Sequence, residues 1–295
     1  MWKKVVAVLI GILVGIWLFD DFDQSTLKGK RVLITGASTG IGEQMAYHYA
    51  QMGAKIVVTA RREQRLKEVV AKCREAGDAD GQYEYIPADM SDMASTLTVV
   101  QDAVNKLGGL DILVLNHITL IPLTPWNGSR ENLTLLDNVI NINFRAYIHL
   151  ASHALPHIEK SHGSIIVVSS YAGKVGQPFL TEYSASKFAL DGFFSSLRQE
   201  MKIKNCDISI TLCVIGFIGT ENSIHQLEEA GQQFLIDFLK PASPSDAALA
   251  IIKGGVKRAR EMYFPYFQVK PILLLKEWFP ELCDFINRWV YTQMP

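Results

Sequence analysis

The sequence predicts a doubly wound α/β domain built on one open parallel sheet, and three observations carry that expectation. From Lys30 onward, short β-branched runs alternate with longer amphipathic stretches. Most of the short runs are nearly continuous in apolar residues, as strands covered by helices on both faces must be. The first run passes straight into a glycine-rich turn, "TGASTGIG" at Thr35 to Gly42. Strands are expected in order at 31–35 (RVLIT), 55–60 (KIVVTA), 83–87 (YEYIP), 112–116 (ILVLN), 164–170 (SIIVVSS) and 208–215 (ISITLCVI). Helical patterns fill the gaps around 41–52, 63–76, 91–107, 131–160, 182–204 and 245–259. Unbroken alternation of this kind places ligands at the carboxyl ends of the strands. The chain divides into an anchor with an acidic flank at 1–24, one α/β domain at 25–265 and an aromatic helical extension at 266–295.

Composition narrows the class. Hydrophobic residues make up 48% of the 295 and charged residues 20%, enough for a packed core. A formal net charge of -1 gives no reason to expect nucleic acid as a partner, and the "KRAR" run at Lys257 to Arg260 reads as a solvated helix end. Cys73, Cys206, Cys213 and Cys283 lie far apart with no C-x-x-C spacing, so no metal site is expected. Cys213, in an apolar run, reads as a small hydrophobe.

At the amino terminus, Lys3 and Lys4 precede an uncharged run from Val5 to Phe19, and Asp20, Asp21 and Asp23 follow it. Fifteen residues of helix span roughly 22 Å, short of a typical bilayer, a gap that interfacial Trp2 and Trp17 and a thin reticulum membrane narrow. A cleaved signal peptide needs a small-x-small site, which "LFDDFDQS" lacks, and a soluble amphipathic helix needs a polar face. An uncleaved signal anchor is the expectation, with the amino terminus cytoplasmic and the remaining chain lumenal. Acceptor sequons at Asn127 ("NGS") and Asn132 ("NLT") agree with that placement.

The glycines at 36, 40 and 42 permit a tight turn and close backbone approach to a pyrophosphate, while the following helix presents its amino-terminal N–H groups to the anion. Ser38, Thr39 and Ile41 belong to the same expected cradle. The second strand ends in "TARR", where an NAD site usually carries an acid; Arg61 and Arg62 suit a 2′-phosphate and so NADP(H). Asp89, with Met90, follows the third strand at the expected adenine edge, and Asn116, His117 and Ile118 end the fourth near the ribose. Asp89 and Asn116 also suit plain structural turns.

Strand five ends in Ser169 and Ser170, and Tyr183 and Lys187 stand one helical turn apart just beyond it. Hydride transfer to a ketone needs a proton donor at the developing alkoxide, and the reverse reaction needs a base. A tyrosine serves both near neutral pH if a neighbouring ammonium favours its phenolate. Ser170 is placed to bond the substrate oxygen, Lys187 also the nicotinamide ribose, and Asn143 a water that links the lysine to solvent. Each residue has an ordinary structural reading: Tyr-x-x-x-Lys recurs on helices, and a helical asparagine can bond locally.

Together, T-G-x-x-x-G-I-G, "NHI", Asn143, Ser170 and Tyr183-x-x-x-Lys187 resemble the short-chain dehydrogenase/reductase family over roughly residues 28–265, which implies a single Rossmann-type sheet. Two departures are "NHIT", where the family commonly has N-A-G, and Ile215–Gly216, where many members have P-G. Both, with "GGLDILVLNHIT" and "YSASKFALDGFFSSLRQE", are similar to the 11β-hydroxysteroid dehydrogenase type 1 group and its type 1-like relatives. The resemblance implies an NADP(H)-dependent oxidoreductase interconverting a secondary alcohol and a ketone on a steroid. It also implies a homodimer, an endoplasmic reticulum membrane location, and cofactor contacts at Ile218 and Thr220. A retinoid, 17β-hydroxysteroid or xenobiotic carbonyl substrate remains open, as does a noncatalytic lipid-binding protein on the same fold. Tyr171, Gln177 and Phe179 are the expected pocket wall for substrate. The segment after strand six is either a lid or a packed surface helix. The aromatic tail suits a lipid surface or a second subunit equally.

Overall fold

The computed structural model describes residues 22–292 apart from 79, 80 and 230. Residues 1–21 of the expected 1–24 anchor segment, its whole apolar run included, lie outside them. Among the described residues no helix is long and apolar enough to cross a membrane.

The apolar runs become a seven-stranded parallel sheet of order β3-β2-β1-β4-β5-β6-β7. Its first half pairs β1 (Arg31–Thr35), β2 (Lys55–Ala60) and β3 (Tyr83–Pro87), and α1 (Gly40–Gln51) and α2 (Glu63–Ala76) cross between them. Its second half comprises β4 (Ile112–Leu115), β5 (Ser164–Ser170), β6 (Ser209–Ile215) and β7 (Glu261–Phe264). The strand order reverses between β1 and β4, which opens a crevice at their carboxyl ends.

Alternation within β1 divides the core. Val32 and Ile34 pack with Met45 and Tyr49 of α1, Leu66 of α2 and Ile251 of α9 (Pro244–Val256). Leu33, pointing the other way, joins Val99 of α3 (Met93–Leu107), Leu150 of α5 (Ala146–Lys160) and Phe194 of α6 (Thr181–Ile203). Residues of both sets are almost wholly withdrawn from water, so the sheet is covered on two faces. At the opposite end from the crevice, Asp111 takes the Arg31 guanidinium in a two-point pair at 2.8 Å each and the Arg31 backbone N–H at 2.8 Å. That clamp sets Val32 against Ile112 and fixes the register of the two strands that frame the crevice.

The structure departs from the sequence reading in four places. β4 stops at Leu115, because Asn116 turns its side chain back to the carbonyls of Thr35 and Gly36. The single helix expected over 131–160 is α4 (Arg130–Ile140) and α5 joined by a π turn at Asn141–Arg145, in which Ala146 N donates to Asn141 O. The segment after β6 holds two short helices, α7 (Glu221–Glu229) and α8 (Gln233–Leu239). A seventh strand, β7, was not expected; its four residues are only half-buried and carry no continuous apolar run. The carboxyl-terminal aromatics lie on α10 (Tyr266–Trp278) and α11 (Pro280–Thr292).

Candidate active site

The turn after β1 is shaped by contacts that only glycine allows. Gly36 has φ +65°, and a Cβ there would stand 2.6 Å from His117 Cα. A Cβ on Gly42 would stand 2.3 Å from Gly36 O and 2.7 Å from Asn116 Nδ2, so this glycine lets α1 seat against the turn. The result is a cleft of about 540 Å³ at the reversal of strand order, large enough for an extended cofactor.

Most of the expected cofactor residues meet there. Gly36, Ser38, Thr39, Gly40 and Ile41 form one wall; Arg61, Arg62, Asp89 and Met90 another; Asn116, His117, Ile118 and Thr220 the remainder. Arg62 donates to Ser38 Oγ and Thr39 Oγ1, both at 3.0 Å, and so sets a cation against the glycine turn. Asp89 is held below its ordinary carboxylate value, first by the Ser91 backbone N–H and, more weakly, by the nearby Arg61 charge. Gly42 and Ile218 do not line the cleft: the first packs behind the turn, and the second is buried in a bridge to Ala242. Thr119, Leu120 and Asn222 line it without having been expected. Asn222 lies two residues past Thr220 and donates to Thr39 Oγ1 at 3.4 Å, a contact between distant loops that no local pattern encodes.

Behind the cleft stand the expected catalytic residues. Lys187 is 1% exposed, and its Nζ donates to Val168 O at 3.0 Å. Burial lowers its ammonium from the ordinary 10.5 to about 7. The Nζ lies 5.6 Å from the Tyr183 ring centre and 5.4 Å from that of Tyr147. Tyr183 is half-buried. Burial raises its phenol above the ordinary value, and the hydrogen bond with Ser170 acts in the opposite direction. The lysine was expected to lower the phenol; instead desolvation raises it, and the opposing pull comes from Ser170. Asn143 is wholly buried in the π turn; its Oδ1 accepts from Thr119 N at 2.8 Å, and its Nδ2 has no hydrogen-bond partner among the described residues. Tyr147, whose hydroxyl donates to His117 O at 2.7 Å, joins this group to the cleft.

The expected substrate residues occupy a third region. Tyr171 donates to Gln177 Oε1, and Gln177 uses its amide N–H groups on the carbonyls of Val175 and Gly176 at 2.9 and 3.2 Å. Gln177 is therefore a buried knot inside its loop. From α11, Asn287 donates to Gly176 O at 3.1 Å, the Tyr291 hydroxyl reaches Gln177 Oε1 at 3.4 Å, and the Tyr291 ring lies 5.9 Å from Phe179. Lys174, bonded to Asp191 at 2.7 Å and Glu261 at 3.0 Å, ties the other side of the loop to α6 and β7. The packing of α11 over this loop lay hidden in the sequence, since Asn287 and Tyr291 are more than a hundred residues from their partners.

The family model described as short chain dehydrogenase matches residues 30–230. A chicken (Gallus gallus) protein named hydroxysteroid 11-beta-dehydrogenase 1-like protein is 50% identical over 259 residues, 88% of this chain and 86% of its own. A Xenopus tropicalis protein of the same name is 46% identical over 274 residues, 93% and 92% of the two chains. One from Macaca fascicularis is 41% identical over 273 residues, 92% and 91%.

Proposed function

The chain belongs to the short-chain dehydrogenase family, and on that premise we propose that it is an NADP(H)-dependent hydroxysteroid dehydrogenase, anchored in the endoplasmic reticulum membrane with its α/β domain in the lumen. The observation that carries the reading is the pairing of half-buried Tyr183 with buried Lys187 beside a dinucleotide-sized cleft whose far end holds two arginines.

The glycine turn suits a pyrophosphate, because the glycine at 36 keeps the turn free of a side chain and α1 begins at Gly40 in the cleft lining. Arg61 and Arg62 favour a 2′-phosphate over a bare ribose. When bound, a nicotinamide would supply or take up the hydride at the substrate carbon. Ser170 holds the substrate oxygen by its hydroxyl. Tyr183 gives that oxygen a proton during reduction and removes it during oxidation. The Lys187 ammonium steadies the phenolate that results, and Asn143 supports a water through which the lysine exchanges protons with solvent.

The steroid assignment draws on the names of the relatives. Substrate is placed against Tyr171 and the loop that α11 braces. Phe267, Trp278, Phe279 and Phe285 are more than half exposed and supply an apolar surface for lipid or for a second copy of the chain. The test is a turnover screen of steroid alcohols and ketones on microsomes carrying the full chain, with NADPH and NADH compared. Turnover of a hydroxysteroid or ketosteroid with NADPH preferred is expected. Turnover confined to small non-steroidal carbonyls would remove the steroid assignment, and NADH preference would remove the cofactor assignment.

A further inference from the structure

We propose that His117 is a positioning residue: its imidazole ties the end of β4 to the π turn that carries Asn143 and thereby holds the proton-relay side of the site in register with the cofactor cleft. The role rests on the oxidoreductase reading above.

Although His117 follows the Asn116 of the cleft wall, its side chain is 6% exposed and both ring nitrogens have protein partners. Nε2 lies 3.1 Å from Ile142 O, and Nδ1 lies 2.9 Å from Thr35 Oγ1. A carbonyl oxygen only accepts, so Nε2 carries the hydrogen and Nδ1 is bare. The Thr35 hydroxyl must then donate to Nδ1, although Val114 O at 3.1 Å is a competing acceptor, while its lone pair takes the Asn116 N–H at 2.9 Å. The other tautomer would set the Nε2 lone pair against the Ile142 carbonyl. One hydrogen-bonded line therefore runs from Asn116 N through the Thr35 hydroxyl and the imidazole to the π turn.

That turn has a reason to need the tie. Widening a helix to an i to i+5 bond, as between Ala146 N and Asn141 O, disturbs the regular pairing of the carbonyls beside it. Ile142 O, next to Asn141, receives the imidazole N–H. Beside it, Thr119 N donates to Asn143 Oδ1 and the Tyr147 hydroxyl to His117 O, so the six-residue stretch 142–147 is gripped at three points. The ring also lies 4.5 Å from that of Tyr147, which faces Lys187. Burial, reinforced by the Lys187 charge, pushes the imidazole down to about 3, so it stays neutral beside the lysine.

Three substitutions separate the clamp from the volume it fills. His117→Phe keeps an aromatic ring in place and removes both bonds; Thr35 can then turn to Val114 O, so the deficit falls on Ile142 O. His117→Asn reaches only the Nδ1 position. His117→Gln extends an amide N–H to the Nε2 position and restores the bond to Ile142. The readouts, on the full chain in detergent, are kcat on a responsive carbonyl substrate, NADPH affinity by fluorescence, and hydrogen exchange of the 141–147 segment. We expect kcat to fall about tenfold in His117→Phe and His117→Asn and to recover to within about threefold in His117→Gln, with NADPH affinity changed less than kcat. Exchange of the segment should rise and recover in the same order. Unchanged kcat and exchange in His117→Phe would overturn the proposal. So would equal losses of kcat and NADPH affinity in all three variants, which would mark the ring as space-filling. A wild-type chain inactive on every carbonyl would instead defeat the oxidoreductase reading, and the exchange series alone would then decide whether the clamp exists.

Discussion

Replacing Lys187 with methionine should abolish turnover and, at slightly acidic pH, make the protein more stable. Lys187 is enclosed, and its ammonium donates to Val168 O at 3.0 Å. Its fall from 10.5 to about 7 means that carrying the charge costs the folded state about 5 kcal/mol at any pH below the lower value. Between the two values the unfolded chain binds a proton that the folded chain lacks, so wild-type stability rises with pH there. Methionine removes the charge and keeps the stem, but leaves Val168 O without a donor, a loss of about 1–3 kcal/mol. The variant should therefore gain about 2–4 kcal/mol at about pH 6, on the order of 5 °C in Tm. At about pH 9 the charging cost has dropped to about 2 kcal/mol and the gain should be close to zero. Thermal unfolding of the full chain in detergent at both pH values, beside a turnover assay, makes the comparison. A Lys187→Met protein that is less stable at about pH 6, or one whose gain is the same at both pH values, would refute the reasoning.

Three further outcomes are expected. Arg61→Ala should weaken NADPH by about 10–100-fold, the scale of one charge-assisted phosphate contact, and leave NADH nearly unchanged; ratios of kcat/KM for the two cofactors measure it. Of the two sequons, Asn127 is exposed, whereas Asn132 is 8% exposed and its Oδ1 accepts from Asn127 N at 3.0 Å. Glycosidase-sensitive mobility in cells should thus vanish with Asn127→Gln and persist with Asn132→Gln. Asn287→Ala removes the bond from α11 to Gly176 O and should raise the steroid KM by about fivefold with the NADPH KM unchanged, as steady-state kinetics with each substrate varied would report.

Legibility followed the range of the forces involved. β1, β2 and β5 match their expected bounds because burial on both faces writes an apolar run directly into the chain, and the edge strand β3 matches through its aromatic and β-branched residues. β7 has only half-buried positions, so "EMYF" carries no such run, and its place is set by pairing with β6 from Leu212 to Ile215. The π turn reads as helix because "NINFR" has no residue that breaks one; the widening is stabilised by Thr119 and His117, which come from another strand end. Glycine spacing located the turn but not the division of labour within it: Gly36 faces the cleft, while Gly42 fits against Gly36 O behind it. Arg61 and Arg62 look equivalent in sequence, yet Arg62 is engaged with Ser38 and Thr39. Tyr183 and Lys187 were recognisable by spacing, whereas the depth of their burial, which sets their acidity, belongs to the folded chain.

The central claim is that Tyr183 transfers the proton, and Tyr183→Phe tests it with one oxygen atom. The measurement is the single-turnover rate of NADPH-dependent ketone reduction by the full-length variant at saturating cofactor, with NADPH binding followed in the same samples. The account predicts a fall of at least about a hundredfold with NADPH still bound. A variant that retains the wild-type rate would contradict it.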